Sequence, residues 1–170
     1  MSELRTVAWT MHHTFHISSR ALTAIVLALW MGGAACTPDP AAGPSEIHWD
    51  ADSCARCGMA ISDRQFAAQV RAVPGAPSQK FDDIGCALLW THALAGDQRG
   101  AARVWVTDHD SGQWLDGRSA RYRAGASSPM RYGFSAHREA AAESRSFDEV
   151  TATLVEQERT GRREPGPGRP

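Results

Sequence analysis

Neither sign of charge dominates this sequence: 18 Lys and Arg stand against 19 Asp and Glu, a formal net charge of -1 at pH 7. The basic footprint that grips phosphate backbones is missing, which excludes a nucleic-acid binder. Long apolar runs are missing too. The most apolar stretch, Ala21 to Met31, is about half of the ~20 residues a spanning helix needs, so no membrane span is expected. No Arg-Arg pair precedes it, which argues against a twin-arginine export signal. Cysteine is scarce, four residues in all, and only Cys54 and Cys57 have CxxC spacing. A zinc site made of two such pairs is thereby excluded.

What is present at the start reads as a targeting segment. Arg5 and Arg20, with no acid between Glu3 and the apolar run, lead to the small residues Gly32, Gly33, Ala34 and Ala35 and then Cys36. This shape predicts a lipoprotein signal over residues 1–35, with Cys36 lipidated as the mature N-terminus. Thr37, in place of an acidic residue, points to the outer membrane. Met11 offers a second start that leaves a shorter basic region. His12, His13 and His16 fall in the leader and carry no message about the mature protein. Export would precede folding, so any metal would be loaded outside the cytoplasm.

Residues 36–46, rich in Pro, Ala and Gly, read as a flexible tether. The folded domain is expected over 47–159 and a disordered Gly, Pro and Arg tail over 160–170. The pattern predicts an α+β fold. Gln65 to Ala72 and Gln79 to Asp82 form a hairpin around Pro74-Gly75-Ala76-Pro77, and Asp83 caps a helix that carries Ile84, Leu88 and Leu89 and stops at Gly96. Arg103 to Thr107 and Gln113 to Leu115 make a second hairpin around Asp110-Ser111-Gly112. Ala120 to Ala124 pairs with Met130 to Phe134, and Ser135 caps a helix over Ala136 to Glu143. Phe147 to Glu158 is the last helix. The result is two similar strand-strand-helix lobes joined by a β-hairpin, in one compact domain.

The strongest chemical signal is Asp52-Ser53-Cys54-Ala55-Arg56-Cys57-Gly58-Met59. Two residues between cysteines let both thiolates face one point, and Gly58 lets the chain bend so that the Met59 thioether can join them. Soft thiolate and thioether donors select Cu(I). The same spacing also suits a structural zinc site completed by a histidine, a redox-active dithiol, or a structural disulfide, and these three roles stay open. Asp82 and Asp83 do not make an acid-base pair, because neighbouring residues point apart and Asp83 serves as a helix cap. The tryptophans Trp49, Trp90, Trp105 and Trp114 are expected in core and edge packing.

The stretch Asp52 to Met59, then Lys80-Phe81-Asp82-Asp83-Ile84-Gly85-Cys86, then Ser128-Pro129-Met130-Arg131-Tyr132-Gly133, resembles the three signature stretches of the NosL family in order. Val104 to Asp108 and Ser111 to Asp116 resemble its central hairpin, so the likeness covers roughly residues 50 to 140. The resemblance implies a non-enzymatic, periplasm-facing lipoprotein, anchored through its lipid. It would bind Cu(I) and pass it to a copper-receiving protein or complex that assembles the copper sites of nitrous oxide reductase. No small-molecule substrate is implied. It also implies two βα lobes similar to a domain of organomercurial lyase. Cys57, Met59, Cys54 and Met130 are the implied copper residues, with Asp52, Cys86 and His137 as secondary or supporting ones. Cys86 is expected to pack as a small hydrophobe and His137 to sit on an exposed helix face. Arg131 and His137 depart from the family, which usually shows a small residue and an aromatic there. A periplasmic thiol-disulfide oxidoreductase using Cys54 and Cys57 is the alternative, and a zinc-stapled interaction module a third.

Overall fold

The structure, a computed structural model, describes residues 43–161; the expected signal over 1–35, Cys36, the tether as far as residue 42 and the tail from residue 162 lie outside them. Strand β1 (Ala68–Arg71) and strand β2 (Gln79–Phe81) form the first hairpin. Its turn closes with the Ala76 N–H donating to the Val73 carbonyl, and Gly75 supplies the left-handed φ of 78° that this turn requires. Arg71, though buried, is satisfied: its guanidinium donates to the carbonyls of Ala76 and Gly43 and to the Ser78 hydroxyl. β1 begins three residues later than its alternation suggests, because the Asp63 carboxylate accepts the Gln65 N–H and holds residues 63–66 in a turn. Residues 43–45 already lie against β1, where Ser45 and the Gln69 amide exchange two hydrogen bonds.

Helix α1 (Ile84–His92) starts at Asp83, whose carboxylate accepts the Gly85 N–H at 2.7 Å, as the cap reading requires. Gly96 does not simply end it. It opens a short helix α2 (Gly96–Ala101), which leads into β3 (Arg103–Thr107) and β4 (Trp114–Asp116). β3 lies beside β1, so the order β2-β1-β3-β4 gives one antiparallel sheet. The joining hairpin is thus part of the first sheet.

The second half departs from its expected pairing. β5 (Arg121–Ala124) pairs not with Met130 to Phe134 but with β6 (Phe134–His137), in the register Tyr122↔Ala136 and Ala124↔Phe134. Ser135 caps nothing, and the helix expected over Ala136 to Glu143 does not form. Local propensity favoured that helix; tertiary burial overrides it. Phe134 and Ala136 are fully buried on β6, and Ala136 also bridges Asp108 and accepts the His109 N–H at 2.8 Å. The true cap lies further on. Ser146 and Glu149 exchange side-chain and main-chain bonds in a capping box that opens α3 (Phe147–Thr160), and Gly161 closes it in the left-handed region.

The fold is therefore α+β, with two antiparallel sheets and three helices among the described residues. One core runs through it, in which α1 contributes Ile84, Leu88 and Leu89, the sheets contribute Val70, Val106, Tyr122 and Phe134, and α3 contributes Val150 and Leu154. Among the described residues no helix is long and apolar enough to cross a membrane. α1, buried on nearly every side, carries its N-terminus and Cys86 beneath the CxxC loop.

Candidate metal centre

The CxxC loop is a closed finger rather than a free segment. Ser53 and Ala60 form an antiparallel bridge, the Cys54 N–H donates to the Met59 carbonyl at 2.8 Å, and the Gly58 N–H returns to the Cys54 carbonyl at 2.9 Å. Gly58 reaches a φ of 77° at the tip, a conformation that a side chain would oppose. The finger is fixed to β2 at two points. The Ala55 N–H donates to the Lys80 carbonyl at 2.9 Å, and the Lys80 ammonium lies 2.6 Å from Asp52 Oδ2. Asp52 also accepts the His48 N–H. Its carboxylate, held below the usual range mainly by Lys80, anchors the base of the finger.

That anchoring sets the Cys54 and Cys57 thiols over α1, where they meet Cys86. One sulfur from each of the three lies within 4.8 Å of the others. The three thiols are graded in access: Cys86 and Cys54 are buried at 0% and 3% exposure, and Cys57 is half-buried. Cys86 does pack in the core, as expected, but its sulfur is also part of the cluster.

The cluster is electrostatically uneven. The Cys54 sulfur accepts the Cys86 thiol and the main-chain N–H groups of Cys57, Asp82 and Arg56, which hold it below the ordinary thiol range despite its burial. Cys86, the donor of the thiol bond, is pushed up by that bond and by burial. Burial also raises Cys57, although the Met59 N–H donates to its sulfur. Asp82 and Asp83 beneath the loop are both raised by burial; Asp82 accepts the Ser62 N–H at 3.1 Å. Both carboxylates hold main-chain groups in place, Asp82 that of Ser62 and Asp83 those of Gly85 and Met130.

Met59 follows Cys57 with 48% exposure, so its side chain is open to solvent. Met130 is half-buried against the core, and its N–H donates to Asp83 Oδ2 at 2.8 Å. The cap of α1 therefore fastens the Met130 loop to the helix that carries Cys86. His137 is placed elsewhere. Instead of an exposed helix face it occupies buried strand β6, between Asp110 at 3.0 Å and Ser135 at 2.9 Å. No His, Asp or Glu among the described residues completes the three cysteines within their 4.8 Å spacing.

Sequence reasoning missed three residues around the centre. Arg56, inside the CxxC pair, donates to the Tyr132 hydroxyl at 2.7 Å and to Glu158 of α3 at 2.8 Å, while Tyr132 donates to Glu158 at 3.0 Å. Tyr132 is fully buried, and its ring fills the place where a Cβ on Gly85 would stand. Gly85, the one glycine in the apolar run of α1, was the only signal for a close neighbour there; nothing local points to Glu158. A scan against protein-family models and a search of curated proteins find no match to this chain.

Proposed function

We propose that this chain is a Cu(I) carrier of the NosL type, a lipid-anchored, periplasm-facing protein that holds the ion as cargo and yields it for assembly of the copper sites of nitrous oxide reductase. The observation that carries the reading is the three-cysteine cluster with its gradient of access. Metal-thiolate bonds of about 2.3 Å put three sulfurs around one ion roughly 4 Å apart, so the cluster needs little contraction. Three thiolates with no imidazole or carboxylate among them suit Cu(I) better than zinc, which takes four ligands in structural sites. Cys54 and Cys86 form the retaining floor; Cys57, with Met59 beside it, is the side from which a partner's thiolate can enter. Loading releases the thiol protons, so retention strengthens as pH rises.

The two β-β-α runs, β1-β2-α1 and β5-β6-α3, correspond in this reading to the two lobes of the family, joined by the β3–β4 hairpin. The rival dithiol oxidoreductase draws support from the close approach of Cys54 and Cys57, yet such enzymes attack through an exposed, acidified thiol, whereas here the more open Cys57 is pushed up by burial and Cys54 is buried. Anaerobic Cu(I) titration against a competing chelator, with Cys57→Ala, Met59→Ala and a Zn(II) control, tests the reading. One Cu(I) per chain, weakened by Cys57→Ala and unmatched by Zn(II), is expected. Absence of competitive Cu(I) binding, or disulfide turnover that needs no copper, overturns it in favour of the oxidoreductase.

A further inference from the structure

We propose that Asp108, Asp110 and His137 form a second metal site, which takes a divalent first-row ion through carboxylate and imidazole donors. One donor atom from each lies within 4.8 Å of the others. They come from both sheets: the aspartates sit on the turn after β3 and the histidine on β6, across the seam where Asp108 bridges Ala136. Metal bonds to nitrogen and oxygen of about 2.0–2.2 Å would draw the three together by small side-chain movements.

Two of the donors are already oriented from behind. Ser135 Oγ lies 2.9 Å from His137 Nε2, which leaves Nδ1 facing Asp110 Oδ2 at 3.0 Å. The Ser111 hydroxyl donates to Asp108 Oδ2 at 2.8 Å. Such outer partners fix ligand orientation in metal sites. His137 and Asp108 are buried, whereas Asp110 is exposed, so the donor set opens on one side into a cavity of about 250 Å³. Arg123, Arg138 and Glu139 line it as well, and the two guanidinium charges, only partly offset by Glu139, keep the affinity below that of an all-acidic cage.

A second observation is independent of these donors. His109 Nδ1 is buried with no hydrogen-bond partner, and its ring lies 5.7 Å from that of His137. A bare buried nitrogen is unfavourable; a water ligand on an ion at this seam would supply the partner that the protein does not. One imidazole with two carboxylates prefers a harder ion than the cysteine cluster does. Bound there, the ion ties the two sheets together.

Mn(II) is the probe, because it disfavours thiolates and so separates this site from the cysteines. The full chain is titrated and followed by electron paramagnetic resonance, by paramagnetic broadening of backbone amides and by thermal melting. Expected are one Mn(II) per chain, broadening centred on residues 108–110 and 135–137, and a raised melting temperature. Asp110→Asn keeps an oxygen for His137 at an exposed position; it should melt like the parent without metal yet bind Mn(II) about tenfold more weakly or worse. Absence of binding at millimolar Mn(II), broadening centred elsewhere, or unchanged affinity in Asp110→Asn overturns the proposal. None of these outcomes depends on copper binding at the cysteines.

Discussion

The Arg56 guanidinium donates to the Tyr132 hydroxyl across 2.7 Å, and so joins the interior of the CxxC pair to a residue 76 positions later. Glu158 completes the triangle with both. The loop that holds two of the three sulfurs is therefore braced on one side by Lys80 of β2 and on the other by α3.

Removal of that brace should loosen the metal loop more than the fold. Arg56→Ala leaves the Tyr132 hydroxyl bonded to Glu158, and the lost Arg56–Glu158 pair is partly solvated, so the stability cost is about 1 kcal/mol. Urea unfolding should register that small loss, while stopped-flow transfer of Cu(I) to a chelator should become faster. An unchanged transfer rate would show that Arg56 does not position the loop.

Gly85→Ala acts from beneath. A methyl at this fully buried position overlaps the Tyr132 ring, and overpacking of this kind costs about 1–3 kcal/mol. Denaturant midpoints measure it. Because Gly85 adjoins Cys86, a drop in Cu(I) affinity should accompany the lost stability.

Acid should release the base of the finger. Lys80 holds the Asp52 carboxyl below its usual range, so the folded-state pKa lies under the unfolded one of about 3.9. The stabilisation is then present above about pH 3.9 and lost as pH falls through the lowered folded value. Asp52→Asn removes this titration. Stability profiles between neutral pH and strong acid should show a shallower acid limb for the variant than for the parent.

The last helix depends on its capping box. Ser146→Ala removes the acceptor of the Glu149 N–H, at a cost of about 1 kcal/mol. The unfolding midpoint should fall, with Cu(I) stoichiometry unchanged, because Ser146 sits at the end of α3 remote in sequence from Glu158.

Much of the first half was legible because its signals are local. The Pro-Gly turn sets the β1–β2 hairpin, and Asp83 announces α1 with its own side chain. Residues 134–143 misled for the opposite reason: their alanines and glutamates favour helix locally, while β6 exists through pairing with β5 and contact with Asp108, which no short window contains. The site divides in the same way. The CxxC pair is visible by spacing, but Cys86 sits in an apolar run and reads as core, which it also is. Its place among the sulfurs follows from Lys80 and Ala55 joining the finger to β2 just ahead of α1.

X-ray absorption at the copper edge of the anaerobic Cu(I)-loaded full chain, with Cys86→Ala alongside, addresses the three-cysteine centre most directly. The expected result is sulfur coordination near the roughly 2.3 Å of a metal-thiolate bond, with one sulfur fewer and weaker retention in Cys86→Ala. Nitrogen or oxygen neighbours in the parent, or a copper environment and affinity indifferent to Cys86→Ala, would contradict it.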